Sequence, residues 1–197
     1  MKKALWISLT AAVMLTQAAC GGQKSAVTQT TIEAKKNGAI VHTIVEEFSE
    51  EYYDVDELND MMTQACSAYN ETTGKESVII ESTELTDGNL TVQMRYAKAD
   101  DYTAFNKVPM FSGTVQEAVN AGYNLNVKMY PADGGEVSIG KEEILEMKDR
   151  HLLILREEVD VEVWDDILYH TSNVMMTSES RSAKVVNDKT VSFILFE

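Results

Sequence analysis

Two short turns constrain the fold of this chain most strongly, because each joins two segments of alternating polarity. Asn37-Gly38 and Asp87-Gly88 are residue pairs that two-residue β-hairpin turns favour. After the second turn, residues 90–96 place an apolar side chain at every second position, as expected for a strand with one buried face. The sequence therefore predicts hairpins over residues 30–48 and 77–97, and with them an antiparallel sheet.

Between the two predicted hairpins, residues 54–71 have the pattern of an amphipathic helix. Asp54 is a favourable N-cap residue, and Glu57 follows three residues later as in a capping box. Apolar residues then recur at intervals of three and four and form one stripe: Val55, Leu58, Met61, Met62, Ala65, Cys66 and Tyr69. Gly74 lies just beyond the pattern, so we expect the main helix to end at about Glu71 and to pack on the sheet.

The second half of the chain predicts shorter helices and more strands. The short helices are expected over residues 100–106, 114–121 and 141–147, the second beginning at a Thr114–Glu117 capping box. Strands are expected over residues 123–130, 151–157, 159–164, 167–169 and 190–196. We expect Asn187-Asp188 to turn a final hairpin into residues 190–196, which are apolar on both sides and typical of a central strand.

These patterns predict an α+β fold in which an antiparallel sheet of hairpins is covered by one main helix and one or two shorter ones. Residues 30–197 have a suitable length for a single domain. A change in composition near residues 108–113 leaves open a division into two subdomains.

The N-terminal residues have the layout of an export signal. Lys2 and Lys3 precede an apolar run, residues 4–16, and the small residues Ala18 and Ala19 follow it. A helix of this run would be about 20 Å long, which is too short for a hydrocarbon core of about 30 Å. The pattern therefore predicts a secretory signal and not a membrane-spanning helix.

Gln17-Ala18-Ala19-Cys20, followed by Gly21-Gly22, resembles the lipobox of bacterial prolipoproteins, although the family favours Leu where Gln17 stands. The resemblance covers the first 22 residues. It implies a signal peptide over residues 1–19, cleavage between Ala19 and Cys20, a diacylglyceryl group on Cys20 and a flexible tether over residues 20–29. The mature chain would then be anchored on the extracytoplasmic side of the cell membrane. The alternative is an ordinary signal cleaved after Ala18 that leaves Cys20 as a free thiol.

The charge of the chain limits the classes of partner that it is expected to bind. Seventeen Lys and Arg residues stand against 32 Asp and Glu residues, which gives a net charge of −15 that loss of Lys2 and Lys3 would make more negative. Such a surface argues against nucleic acid, whose phosphates are bound by cations, and against electrostatic attachment to anionic lipid. The expected partners are the lipid bilayer, through acylated Cys20, and an unknown envelope protein, peptide or glycan.

The acidic run over residues 46–60 contains the candidate cation ligands Asp54, Asp56 and Asp60. Calcium prefers several oxygen ligands, but the sixth position of this segment is Asn59, where an EF-hand loop needs Gly. Acidic residues in the first turn of a helix also stabilise its positive end. We therefore favour helix capping, and we predict neither a metal site nor a cofactor.

The sequence contains no recognisable catalytic motif. Cys66 lies on the apolar stripe of the predicted helix, where a buried thiol is expected, and the three histidines are far apart along the chain. The preferred interpretation is a non-catalytic binding module of the cell envelope. The alternatives are an extracytoplasmic enzyme with a dispersed carboxylate or histidine site, and a structural accessory subunit of an envelope complex.

Overall fold

The computed structural model describes residues 29–50 and 53–197. These residues form two β-sheets and four helices. The first half of the chain contains β1 (Thr31–Ala34), β2 (Ile40–Glu47), α1 (Val55–Thr73), β3 (Val78–Thr86), β4 (Asn89–Tyr96) and α2 (Ala99–Asn106). There follow β5 (Met110–Thr114), α3 (Val115–Asn120), β6 (Tyr130–Pro131), α4 (Lys141–Glu146) and β7 (His151–Leu155). The last elements are β8 (Asp160–Glu162), β9 (Ile167–His170), β10 (Val174–Met176), β11 (Ser182–Val185) and β12 (Ser192–Phe196).

The larger sheet has the strand order β10-β11-β8-β1-β2-β4-β3, and the smaller sheet has the order β5-β7-β12-β9-β6. Nearly all neighbouring strands are antiparallel, as the hairpin pattern predicts. The exception is β8, which lies parallel to β1 with Val161 opposite Ile32. The α+β class is confirmed, whereas the expectation of a single antiparallel sheet is wrong. The parallel pair joins residues more than 100 positions apart, a separation that local turn chemistry cannot reveal.

Both predicted hairpin turns form. At the second turn Asp87 and Gly88 have φ values of 52° and 77°, and Thr86 lies opposite Asn89, so this is a two-residue turn with left-handed backbone at both positions. At the first turn Gly38 has a φ of 85° and its N–H donates to the carbonyl of Lys35 at 2.9 Å. Because β1 ends at Ala34 and β2 begins at Ile40, this connection is longer than predicted.

Helix α1 begins and ends at the predicted caps. The Asp54 carboxylate accepts hydrogen bonds from the backbone N–H groups of Asp56 and Glu57, at 2.9 and 3.1 Å, and Gly74 ends the helix with a φ of 68°. Among the residues of the predicted stripe, Cys66 is buried, and four more are partly buried against the larger core: Val55, Leu58, Met62 and Tyr69. Met61 and Ala65 are exposed, which corrects their predicted place in the stripe.

The smaller sheet has apolar residues on both faces. Leu153, Leu155, Ile194 and Phe196 belong to the core shared with the larger sheet. Leu152, Ile154, Phe193 and Leu195 face the opposite way and form a second core with residues of α3, α4 and the segment between them. All five residues of β12 are buried, which confirms the predicted central strand.

The second half differs from the sequence predictions in several details. The final hairpin is wrong, because β11 belongs to the larger sheet and β12 to the smaller one. The strand over residues 123–130 is also wrong. Tyr130 and Pro131 pair with β9, and Met129 forms an isolated bridge with Ile139, while Leu125 and Met129 are buried in the second core. Helix α2 takes Lys98 and not Asp100 as its N-cap.

Candidate functional site

An apolar pocket of about 530 Å³ lies on the face of the smaller sheet that carries the second core. We call it the apolar pocket. Its walls include Pro109, Met110, Tyr123, Val127, Ile154, Val191 and Phe193. Ile154 and Phe193 lie opposite each other on β7 and β12 and form the floor because their side chains point away from the larger sheet. Val191 is 44% exposed, so part of this wall faces solvent in the structure.

Three polar residues, Asn124, Arg156 and Thr190, also line the apolar pocket. Arg156 is held by a hydrogen bond from its Nε to the backbone carbonyl of Asp188, at 2.9 Å. The guanidinium has further N–H groups, which suit a carboxylate or carbonyl oxygen. The pocket therefore combines an apolar floor with a cation at its rim.

A second pocket, of about 680 Å³, adjoins the free edge of β5, and we call it the edge pocket. Tyr123 lines both pockets, and its ring packs against Phe111 with ring centroids 4.9 Å apart. The charged residues of the edge pocket are Lys98, Asp100 and Glu117. Lys98 pairs with Asp100 at 2.9 Å, so Glu117 gives this pocket a net negative charge.

The capping box at the start of α3 fixes the Glu117 side chain. Its carboxylate accepts hydrogen bonds from the Thr114 backbone N–H and hydroxyl, at 2.7 and 3.0 Å. These bonds lower the pKa of Glu117, because they favour the charged carboxylate. Glu117 is therefore ionised at neutral pH, in the position that the capping-box pattern predicts.

Gly113 provides the space for this arrangement. A Cβ atom at Gly113 would lie 2.8 Å from Glu117 Oε2 and 2.9 Å from Phe111 Cζ. Any larger residue would displace either the capping carboxylate or the ring that packs on Tyr123. The glycine thus shapes the edge pocket through steric space, and its φ is not positive.

A separate cluster of titratable side chains lies between the larger sheet and α2, with His42 and Tyr102 buried and Glu157 half-buried. The Tyr102 hydroxyl donates to Glu157 Oε2 at 2.6 Å, and the rings of Tyr102 and His42 meet edge-on with centroids 5.5 Å apart. Both ring nitrogens of His42 lack a hydrogen-bond partner within the described part of the chain. Sequence reasoning did not bring these residues together, because β2, α2 and the end of β7 are distant in the chain.

Burial shifts the pKa of each member of this cluster in the direction that favours its neutral form. Desolvation lowers the pKa of His42 to about 4 and raises the pKa of Tyr102, which the neighbouring Glu157 raises further. Desolvation also raises the pKa of Glu157, and the Tyr102 hydrogen bond opposes that change. None of the three residues lines the apolar pocket or the edge pocket. The cluster therefore has the character of a polar element of the core.

The candidate cation ligands lie at the start of α1. Asp54 is occupied with helix capping, and Asp56 and Asp60 are exposed. Over residues 29–50 and 53–197, no group of three His, Cys, Asp or Glu side chains could hold a metal ion. The candidate lipidation and cleavage residues, Cys20 and Ala19, lie outside the described residues.

Cys66 is buried, as its place on the apolar stripe predicts. Burial raises the pKa of its thiol, which disfavours the reactive thiolate.

Comparison with known proteins identifies no relative. The chain matches no family model, and neither the curated proteins nor the solved structures give a match. No helix in the described ranges is long and apolar enough to cross a membrane.

Proposed function

We propose that this protein is a lipid-anchored lipoprotein of the bacterial cell envelope and that it acts as a non-catalytic binding module. The observation that supports binding is the apolar pocket, whose volume of about 530 Å³ falls within the range of ligand sites, roughly 300–1,000 Å³. Ligand sites commonly have apolar walls and a few polar groups at defined positions. The floor formed by Ile154 and Phe193, with Arg156 at the rim, has this composition.

The ligand that fits this pocket best is a segment with a bulky apolar side chain and a backbone carbonyl or carboxylate. The apolar side chain would cover Ile154 and Phe193, and the oxygen would accept a hydrogen bond from Arg156. An apolar peptide segment of an envelope protein supplies both groups.

A binding role is preferred to an enzymatic one because of where the titratable groups lie. His42, Tyr102 and Glu157 could in principle transfer protons, but His42 and Tyr102 are packed in the core. Glu157 is half-buried against Tyr102, and desolvation favours the neutral forms of all three. Catalytic acids and bases must reach the substrate within hydrogen-bond distance. The ionisable side chains at the apolar pocket are Tyr123 and Arg156, neither of which suits general acid–base work at neutral pH.

We propose that the described residues form one α+β domain in which α1 is the main amphipathic helix. Residues of both sheets contribute to the larger core, for example Ile32 and Leu90 from one sheet and Leu153 and Ile194 from the other. The partly buried side chains of α1 pack against that same core. A division near residues 108–113 would have to cut through this shared core.

The anchor is tested by labelling cells that express the chain with radioactive palmitate. Acylation at Cys20 predicts that the label is incorporated into the protein and lost in Cys20→Ala. Cys66→Ala is the matched control and should retain the label, because Cys66 is buried in α1. Label that persists in Cys20→Ala would overturn the anchoring proposal.

The binding proposal is tested with the full chain in lipid nanodiscs and the blocked peptide acetyl-Val-Leu-Val-amide, by thermal melting. A ligand at 100 times its dissociation constant adds about 2.7 kcal/mol to the folded state, so the peptide should raise the midpoint. Val127→Glu places a charge in the apolar pocket and should abolish the rise. Val137→Glu is the control, because Val137 is 78% exposed and lies outside the pocket lining. An unchanged midpoint, or equal rises in both variants, would contradict the proposal.

A further inference from the structure

We infer that the backbone of Ser112 on β5 pairs with one extended residue of a cationic peptide segment. This inference rests on the proposed binding function, since the peptide would lie in the edge pocket beside the apolar pocket. It assigns the class of the partner and the backbone groups that recognise it.

Three hydrogen bonds show to which side of β5 the backbone N–H and C=O groups of each residue point. The N–H of Val115 donates to the carbonyl of Arg150, at 2.9 Å, on the side of β7. Both backbone groups of Met110 instead bind the Thr103 hydroxyl, on the side away from β7. Successive residues of an antiparallel strand alternate between these two sides. The backbone N–H and C=O groups of residues 111, 113 and 115 therefore point toward β7. Those of residues 110, 112 and 114 point toward the free edge.

Two of the three outward positions are already occupied. Thr103 accepts from the Met110 N–H at 2.8 Å and donates to its carbonyl at 3.2 Å. Glu117 accepts from the Thr114 N–H at 2.7 Å. Between them, the N–H and carbonyl of Ser112 point into the edge pocket, which Ser112 lines. Ser112 is half-buried, so a ligand can reach it.

One outward N–H and one outward carbonyl match the backbone of a single extended residue. In an antiparallel pair, two opposite residues exchange both hydrogen bonds, and many proteins bind peptides by adding a strand in this way. A second copy of this chain would need several consecutive open positions on β5. Thr103 and Glu117 close the neighbouring positions, so the edge is protected against strand-to-strand association and admits a short segment.

Charge determines which segment fits. Asp100 is largely exposed beside Lys98, and Glu117 is a second carboxylate in the same pocket. The whole chain has a net charge of −15, so a cationic peptide is attracted and an acidic one is repelled. We therefore assign the edge pocket to an extended segment that has Lys or Arg beside an apolar residue.

The test uses the full chain in nanodiscs and the peptide acetyl-Val-Lys-Val-Lys-Val-amide with a fluorescent label, by anisotropy. Ser112→Pro removes the outward N–H, and proline is tolerated on edge strands where that N–H is not paired. Ser112→Ala keeps the N–H and is the matched control. We expect Ser112→Pro to bind the peptide about fivefold more weakly than Ser112→Ala does. Circular dichroism verifies that both variants fold.

Two further probes keep the outcomes distinct. A peptide N-methylated at its central residue should bind about fivefold more weakly, and the Glu counterpart of the peptide should bind more weakly than the Lys form. Equal binding by Ser112→Pro and Ser112→Ala, with Val127→Glu still abolishing binding, would overturn this inference and leave the proposed function intact. Binding that Val127→Glu does not affect would contradict the proposed function itself.

Discussion

The hydroxyl of Thr103 makes two hydrogen bonds to Met110, accepting from its backbone N–H at 2.8 Å and donating to its carbonyl at 3.2 Å. This pair joins α2 to the outer edge of β5. The Thr103 hydroxyl thus occupies the outward N–H and carbonyl of Met110, which a neighbouring strand would otherwise bind. The site beside it is therefore open over a short length only.

Replacing Thr103 by Val should destabilise the protein by about 1–2 kcal/mol, because two backbone groups of Met110 lose their partner. The measurement is the free energy of unfolding in urea. Thr72→Val is the control, since the Thr72 hydroxyl is exposed on α1 and bonds to the carbonyl of Tyr69 within the same helix. Equal losses of unfolding free energy in the two variants would show that the Thr103 hydrogen bonds stabilise the protein no more than the exposed Thr72 hydrogen bond does.

Asn70 joins α1 to β3. Its side-chain carbonyl accepts from the N–H groups of Ser77 and Val78, each at 2.9 Å, and its amide N–H donates to the Val78 carbonyl at 2.8 Å. Asn70→Ala should therefore cost about 2 kcal/mol in urea unfolding. Asn120→Ala should cost less than about 0.5 kcal/mol, because Asn120 is exposed and bonds to the side chain of Gln116. Similar costs for the two variants would contradict the role of Asn70.

Gly113→Ala should destabilise the protein by about 1–2 kcal/mol, since the new methyl group would overlap Phe111 and Glu117. Gly140→Ala is the matched control: the nearest atom to its added Cβ is 3.6 Å away, an ordinary contact. Thermal melting of both variants provides the comparison. A Gly113→Ala variant as stable as the control would mean that the ring and the carboxylate move aside without cost.

His42 makes stability depend on pH. Its pKa is about 4 in the folded protein and about 6.5 in an unfolded chain. Between these values the unfolded state binds more protons, so stability falls as the pH falls from 6.5 toward 4, by about 3 kcal/mol in total. The partly buried His151, with a lowered pKa, acts in the same direction. Glu157, with a raised pKa, acts in the opposite direction.

His42→Leu isolates the contribution of His42, because it removes that titration and leaves the other two groups in place. The difference in urea unfolding free energy between the natural chain and His42→Leu should change by about 3 kcal/mol from pH 7 to pH 4. A difference independent of pH would show that His42 takes up its proton as readily in the fold as in solution.

Local chemistry was sufficient to predict much of the fold. Asp54 and Gly74 cap the two ends of α1 as predicted. The Thr114–Glu117 capping box forms, and the Asp87-Gly88 turn joins two paired strands. Each of these features depends on residues a few positions apart. The two exposed stripe residues, Met61 and Ala65, show the limit of this reasoning, since periodicity gives a face but not the width of the surface that covers it.

Features that depend on distant residues were not predictable. The parallel pairing of β1 with β8 and the separation of β11 and β12 into different sheets follow from how the whole chain is packed. Residues 123–129 alternate like a strand because Leu125 and Met129 reach the second core from an irregular segment. The apolar pocket assembles residues from four separate parts of the chain, which no spacing in the sequence indicates.

Hydrogen–deuterium exchange of the full chain in nanodiscs, with and without acetyl-Val-Lys-Val-Lys-Val-amide, tests the proposed binding site most directly. The account predicts slower exchange on peptide addition in two segments, β5 and residues 123–127. Exchange in β10, at the far edge of the larger sheet, should not change. Protection confined to other segments, or no protection at a peptide concentration that saturates anisotropy, would contradict the account.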